Sequence, residues 1–496
     1  MVEDVSSRSD EVEAWAPGPG PIEPGRRVFV NRNLRFGDID WVGFDMDYTL
    51  APYAKRKLEA LSFAMTRTRL VERMGYPEPV LELPYDPDFV ARGLVIDKRL
   101  GNTLKVDRHG HVGRAYHGRT SLARDARREA YRNVKVNLSA ARYHWVDTLF
   151  ALPEASLYAD LVDLYDGPLA PEKSSAKRSL YPRLFEDVRE AIDACHRDGS
   201  LKARLVQDLP RYVIRDPELP DTLHKLRASD KKLFVLTNSE WSYTEAVLHY
   251  LLDGARPDYP RWTDYFDLVI CEAGKPRFFT EAVPFEAVEP RSGARRPADS
   301  LVAGGVYAGG STRELARQLP ELHGENVLYV GDHIYGDIIR SKKDTLWRTA
   351  LVIEELEEEM VLQHRLAPSR AELEALEDRA FALEDDLRGV RAQLEAAEAR
   401  PADAAALEEL RDRLARRSRS TKAVDEARSR LTRRIDRSFN RFWGSVFREG
   451  HEQSRFGWQV EAYACIYTSR VSNLLAYSTA QYFRAPRHWM PHEKAR

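Results

Sequence analysis

Four short apolar runs constrain this chain more than any other feature. They are Trp41–Phe44, Leu233–Leu236, Tyr265–Cys271 and Val327–Val330, and each stops abruptly in polar residues. Short continuous apolar runs are the mark of strands buried on both faces of a parallel sheet, and helix-like segments lie between these four. The pattern predicts an α/β fold built on a doubly wound parallel sheet. Ligands bind such sheets beyond the carboxyl ends of the strands, so the residues just past each run carry the chemistry. After the first come Asp45, Asp47 and Thr49. After the second comes Thr237-Asn238-Ser239, and after the third Lys275. After the fourth comes Gly331-Asp332, with Asp337 five residues further on.

Each group has a plain reading when taken alone. Aspartates are common in turns, and Asn and Ser cap helices. A lone Lys after a strand is a surface residue. Together they read as phosphoryl chemistry. Asp45 would attack phosphorus and form an aspartyl-phosphate. Asp47 would protonate the leaving alkoxide and later take a proton from water. Thr237, Asn238 and Ser239, just before a helix N-terminus, would cradle the phosphate. Lys275 supplies a point charge. Asp332 and Asp337 suit a hard cation such as Mg2+.

Bulk properties exclude several other classes. The 496 residues call for two or three structural units, and a hydrophobic fraction of 43% is enough for a sizeable core. A net charge of −2 fits neither a polyanion binder nor an acidic tail. Three scattered cysteines, Cys195, Cys271 and Cys465, fit a reducing compartment and argue against disulfides or a Cys-based zinc site. No apolar run approaches the roughly 18 residues of a membrane span, and the N-terminus is not a secretory signal. Residues 1–25, acidic and then Pro/Gly-rich, read as a disordered tail. A cytoplasmic protein is expected.

Between the strands, Lys55–Met74 has helical spacing, and residues 89–120 alternate as strands and turns. The histidines there, His109, His111 and His117, mark turns and a polar face, since no ligand spacing supports zinc. A helix with Pro153 in its first turn comes next, and another covers 181–206 up to Gly199 and beyond. Arg189, Asp193 and His196 share one side of it; by spacing alone Arg189 and Asp193 form a solvated ion pair. Residues 281–312 are loop-rich. From Glu354 to Arg434, Leu373, Leu376, Ala380, Leu383, Leu387, Val390 and Leu394 step as an a/d heptad seam. Pro401 interrupts the seam and leucines resume it, which predicts two long helices folded as an antiparallel hairpin. Basic runs there alternate with acids, so nucleic acid is not an expected partner. The aromatic tail from Phe439 to Met490 reads as folded onto the body.

The motifs DMDYTL, TNSEWSYT, KPRFF and GDHIYGDI resemble the haloacid dehalogenase-like phosphohydrolases, and within them the cytosolic purine 5'-nucleotidase family. Similarity extends through FVNRNL, GNTLKVDRHG, TLFALPE, VREAIDACHRDGSLK and GGVYAGGS, and so covers most of residues 27–350. The resemblance implies a Rossmann-like core with an inserted cap. In outline this gives core residues 26–100 and 181–353, a cap at 101–180, a cap-like excursion near 276–312, the hairpin at 354–436 and a tail at 437–496. It implies Mg2+-dependent hydrolysis of nucleoside 5'-monophosphates of the IMP and GMP kind, with metal ligands among Asp45, Asp47 and Asp332, and a homo-oligomer. It also implies that Phe150 and His196 flank the base, Arg189 faces the base edge, Asp193 the ribose and Lys202 the phosphate. That replaces the solvated pair as the reading of Arg189 and Asp193. Ala151 and Asp147 depart from the family pattern, each standing where an amide is usual. The alternatives are a phosphatase or phosphotransferase acting on another small phosphomonoester, and a coiled-coil scaffold with a relic core.

Overall fold

The computed structural model describes residues 22–170, 174–322, 324–399 and 404–493. Its spine is a ten-stranded sheet. In spatial order the strands are Phe29–Val30, Ile466–Thr468, Arg348–Val352, Val327–Gly331, Trp41–Phe44, Lys232–Leu236, Leu268–Cys271, Gly305–Gly309, Phe285–Val288 and Arg295–Pro297. The seven from Ile466–Thr468 to Gly305–Gly309 run parallel. Antiparallel strands close both edges. Trp41–Phe44 is fully buried and sits between the later strands that begin at 232 and 327. The chain therefore winds away from it to both sides, and the crevice of a doubly wound sheet opens at its carboxyl end. Gly43 lets the Phe234 ring lie directly on this strand, where a Cβ would come within 2.1 Å of the ring.

The chain leaves the core at Tyr53 and returns at Val213, where the two backbones bridge. Ala54 N–H donates to Tyr212 O at 2.7 Å, and Ile214 N–H to Pro52 O at 2.8 Å. Everything between these points forms the cap. It holds helix Lys55–Met74, a five-stranded antiparallel sheet from Val95 to Trp145, and helices Leu152–Asp166, Ser174–Arg197 and Ser200–Gln207. The cap is thus wider than 101–180, and helix Lys55–Met74 packs on its helices rather than on the main sheet. Gly199, at φ +71°, ends one cap helix and lets Ser200 begin the next, as its position suggested.

Residues 276–312 are not an excursion. Three strands within them extend the main sheet, and Gly305–Gly309 pairs with Leu268–Cys271. Glycines at both ends and prolines nearby hid them. The tail also does more than pack on the body: Ile466–Thr468 inserts between the edge strand and Arg348–Val352. Most of the expected N-terminal tail lies outside the described residues. Pro24–Arg26, however, forms a turn in which Gly25 packs against Glu357 and its carbonyl accepts from Ser469 Oγ at 2.8 Å.

Helices Ala367–Glu398 and Ala404–Phe439 lie against each other. The ion pairs Arg411–Glu398, Arg417–Asp386 and Arg434–Glu372 run in opposite numerical order and establish an antiparallel hairpin. Ala380, Val390 and Leu394 are buried in the seam with Val424, Leu431 and Ile435. The residues joining the helices, Pro401 among them, lie outside the described residues. No helix among the described residues is long and apolar enough to cross a membrane.

Since the seam is filled within one chain, its distal half has no structural task in the body. Replacing residues 380–426 by a short Gly-rich turn should leave the melting temperature of the body and the number of chains per particle unchanged. Circular dichroism and sedimentation equilibrium would check both.

Candidate active site

The sheet brings all four polar strand ends to one edge. There, with the cap helices above, they line a cavity of about 570 Å3. Asp45, Asp332 and Asp337 converge so that one oxygen of each lies within 4.8 Å of the others. Lys275 reaches into this cluster. Its Nζ lies 2.9 Å from Asp45 Oδ1 and 2.8 Å from Asp337 Oδ1, and it donates to Tyr329 OH at 2.9 Å. Gly331 makes room for Asp337, whose side chain would otherwise meet a Cβ at 2.6 Å.

Lys275 pairs with two of these buried carboxylates, Asp45 and Asp337, while Arg92 and His333 are the positive groups that act on Asp332. Burial, opposed by Lys275 and reinforced by Asp337 and Asp47, pushes Asp45 up to about 7. Burial, with Asp337 and Asp45 beside it, holds Asp332 well above the usual carboxylate range. For Lys275, burial opposes the charge, but Asp337 and Asp45 outweigh it and raise the lysine. A hard divalent cation fits these all-oxygen donors and would supply the missing positive charge.

Asp47 stands apart from the cluster. Ser239 Oγ donates to its Oδ2 at 2.8 Å, and Tyr53 OH donates to Oδ1. Tyr53 in turn shares a 2.9 Å hydrogen bond with Tyr243. Of the expected metal ligands, Asp45 and Asp332 belong to the converging group, whose third member is Asp337, and the Asp47 carboxylate lies outside it. The loop holding Asp47 is tight, with Tyr48 at φ +55°, a costly conformation for a bulky residue.

The Thr237-Asn238-Ser239 cradle divides its labour. Thr237 is buried outside the cavity lining, and its Oγ1 accepts from Ser239 N–H at 3.1 Å. Asn238 lines the cavity and also grips the Lys275 backbone from both sides. Its Nδ2 donates to Lys275 O at 3.0 Å, and its Oδ1 accepts from Lys275 N–H at 2.6 Å. Helix Trp241–Leu252 begins just beyond, with Glu240 at its N-cap.

Phe150, Arg189, Asp193, His196 and Lys202 all line the cap end of the same cavity. Phe150 and His196 meet edge to face with centroids 5.7 Å apart. Arg189 and Asp193 do form the i, i+4 pair, with side chains 40% and 44% exposed, but Arg189 also has a second, buried partner. Besides Asp193, 3.3 Å from its Nε, it donates from Nη1 to buried Glu154 at 3.0 Å. Burial, only partly offset by Arg189, pushes Glu154 up to about 7. Burial and Arg189 together lower His144 to about 4. Lys202 is held by Glu240 and stands over the Tyr243 ring. Glu154, Tyr53, Tyr329 and His333 were not singled out in the sequence; His333, inside GDHIYGDI, and Glu154, the last residue of TLFALPE, carried a local signal. Among the described residues, the cap histidines join no metal-binding group.

The raised carboxyls make the cation-free protein sensitive to pH. Folded Asp45 keeps a proton up to about 7, while an unfolded aspartate loses it near 3.8. Its contribution to stability is thus undiminished below about pH 4 and falls as pH rises toward 7. In EDTA, the thermal midpoint should drop between pH 5 and 7.5, and Mg2+ should recover most of the loss. Asp45→Asn should raise the neutral midpoint in EDTA by a few degrees. Differential scanning fluorimetry reads both effects.

A family model described as the 5' nucleotidase family matches residues 28–495. A 5'-nucleotidase domain-containing protein of Dictyostelium discoideum is 31% identical over 475 residues, covering 94% of this chain and 74% of its own length. The 5'-nucleotidase domain-containing protein 2 of Rattus norvegicus and that of Homo sapiens are each 29% identical over 486 residues. Both alignments cover 94% of this chain, with 80% of the rat protein and 85% of the human one.

Proposed function

Because the chain belongs to the 5' nucleotidase family and is a phosphoric monoester hydrolase, we propose that it is a Mg2+-dependent cytoplasmic hydrolase of purine nucleoside 5'-monophosphates, working through an aspartyl-phosphate. The observation that carries the reading is the separation of the two aspartates. Asp45 lies 2.9 Å from the Lys275 ammonium, while Asp47 is oriented by Tyr53 and Ser239. One carboxylate is kept for attack and the other for the proton.

In the first step an Asp45 oxygen bonds to phosphorus, the bond to the 5'-oxygen breaks, and Asp47 gives that oxygen a proton. In the second, Asp47 takes a proton from water as the water oxygen bonds to phosphorus and Asp45 is released. Lys275 offsets phosphate charge throughout, so that an anion can approach an anion. Asp45, Asp332 and Asp337 would hold Mg2+, which when bound neutralises phosphate oxygens. Phosphoryl transfer asks mainly for positioning and charge, and the strand ends supply both.

Specificity resides at the cap end. Phe150 and His196 offer ring faces and edges for a base, Asp193 a carboxylate for the ribose, and Lys202 a charge near the phosphate. Arg189 presents only donors, which suit a 6-oxo group and oppose a 6-amino group. Buried Glu154 holds that guanidinium in place.

Phosphate release should be measured on IMP, GMP, AMP, CMP and sugar phosphates, with and without Mg2+. IMP and GMP should lead and chelator should abolish turnover. Turnover of sugar phosphates alone would replace the nucleotide reading, and no turnover of any substrate would favour the scaffold. Asp45→Asn should have no measurable turnover. Arg189→Ala should lower kcat/KM for IMP roughly 10- to 100-fold, and for CMP far less. Equal losses would remove Arg189 from base reading.

A further inference from the structure

The loop carrying Asp332 and Asp337 is gripped from outside the core. Within the loop, Asp337 N–H donates to His333 O at 2.9 Å, and His333 N–H to Asp337 Oδ2 at 3.2 Å. Two further contacts come from the cap. Arg92 Nη1 donates to the Asp332 carbonyl at 2.9 Å. Asp147 Oδ2 pairs with His333 Nε2 at 3.0 Å. We infer that Arg92 and Asp147 are positioning residues through which the cap holds Asp332 and Asp337 in cation-binding geometry.

The two contacts act as one clamp because their backbones are tied. Gly93 N–H donates to Val146 O at 2.7 Å, and Val146 N–H to Leu94 O at 2.9 Å. Beyond them, Val95 pairs with Trp145 in the cap sheet. Arg92 and Asp147 thus project from neighbouring, hydrogen-bonded segments, one residue outside that ladder on each side.

The clamp is itself braced. The Arg92 side chain is fully buried, paired with Glu355 at 2.5 Å and lying over the Phe456 ring at 5.0 Å. Gly93, at φ +89°, lets the cap approach that ring, since a Cβ there would stand 2.6 Å from Phe456 Cβ. Helix Arg455–Tyr463 from the tail therefore forms the floor on which the clamp rests.

The physical need is plain. Asp45, Asp332 and Asp337 repel one another; Lys275 pairs with Asp45 and Asp337, and Asp332 draws on Arg92 and His333. A loop free to relax would swing its two carboxylates apart and would have to be reassembled on binding. Partners that orient the ligand-bearing groups are worth about 10- to 100-fold in metal affinity. Here they come from the cap, so the element that selects the substrate also sets the cation site.

The inference rests on the carboxylate triad being a divalent-cation site, and the test separates the two. Mn2+ binding to the full chain, without nucleotide, is titrated by electron paramagnetic resonance. The set is the unaltered protein, Asp147→Ala, Asp147→Asn and Arg92→Lys. Asp147→Ala should bind about 10- to 100-fold more weakly, with Asp147→Asn intermediate because it keeps a hydrogen-bonding group. At saturating cation, KM for the nucleotide should change less than about 2-fold, and the melting point in EDTA should barely move. A merely structural role would lower the melting point and impair KM along with cation affinity, and that result would overturn the proposal. So would affinities within about 2-fold of the unaltered protein in every variant, which would leave the triad standing. Absence of Mn2+ binding to the unaltered protein would remove the triad and the clamp together. Should Asp147→Ala fail to fold, Asp147→Asn and Arg92→Lys decide the matter, each expected to weaken binding several-fold.

Discussion

A single buried ammonium between carboxylates is the interaction on which the rest of this structure depends. Lys275 contacts Asp45 and Asp337 at once, and Asp332 adds a further negative charge to the same small volume. Bringing such groups out of water costs several kcal/mol per ion unless partners compensate. The sheet order meets that cost by geometry: the contributing strands stand side by side, with the Asp45 strand between those leading to Asp332 and Ser239. Asn238 then fixes the Lys275 backbone by a two-way amide contact, so the lysine arrives from a rigid turn. What looked like a phosphate-cradle residue is first of all a brace for the cation. The remaining deficit of positive charge is one that a hard cation would fill.

The cavity has two ends, and the fold keeps their electrostatics separate. At the core end, burial raises Asp45 and Asp332, and the positive partners are Lys275 for the first and Arg92 and His333 for the second. At the cap end, burial raises Glu154, and a guanidinium sits beside it. Arg189 is planar and permanently charged, so it can satisfy Glu154 with one N–H and still present others to a base edge. A lysine at this position could neutralise Glu154 but could not read a planar edge. The pair with Asp193 stays two-fifths exposed, and what sets Arg189 apart is its second, buried partner on another cap helix.

Arg189 also marks where the legibility of the sequence stops. The apolar strands and the residues at their ends were legible because a strand buried on both faces leaves a continuous apolar run, and most of the polar groups just beyond it line the crevice, Thr49 and Thr237 excepted. Arg189 and Asp193 were legible as neighbours by spacing, but the buried second partner of Arg189, Glu154, lies 35 residues away in the chain. Gly305–Gly309 was hidden because glycines bracket it and Pro284, Pro290 and Pro297 read as loop. Arg92 and Asp147 lack any local signal: an arginine before a glycine and an aspartate before a threonine gain their roles only when Gly93 and Val146 pair. Family resemblance singled out the cap residues expected at a base, which spacing could not, and it marked Asp147 only as a departure.

The tail explains why a long hairpin can be carried without disturbing this centre. Its strand Ile466–Thr468 completes the parallel array beside Arg348–Val352, and its helix presents Phe456 to Arg92. The hairpin therefore lies between two consecutive pieces of the core and is not an appendage at its end. Both of its ends are tied to the body, for Asp436 pairs with Arg114 of the cap and Glu355 pairs with Arg92 just before the hairpin begins. A two-helix insertion of this kind must leave and re-enter the core at nearby points, which an antiparallel pair does at any length. Its seam can lengthen by whole heptads while the loop from Asp332 to Asp337, in contact with Arg92 and Asp147, sees the same surroundings.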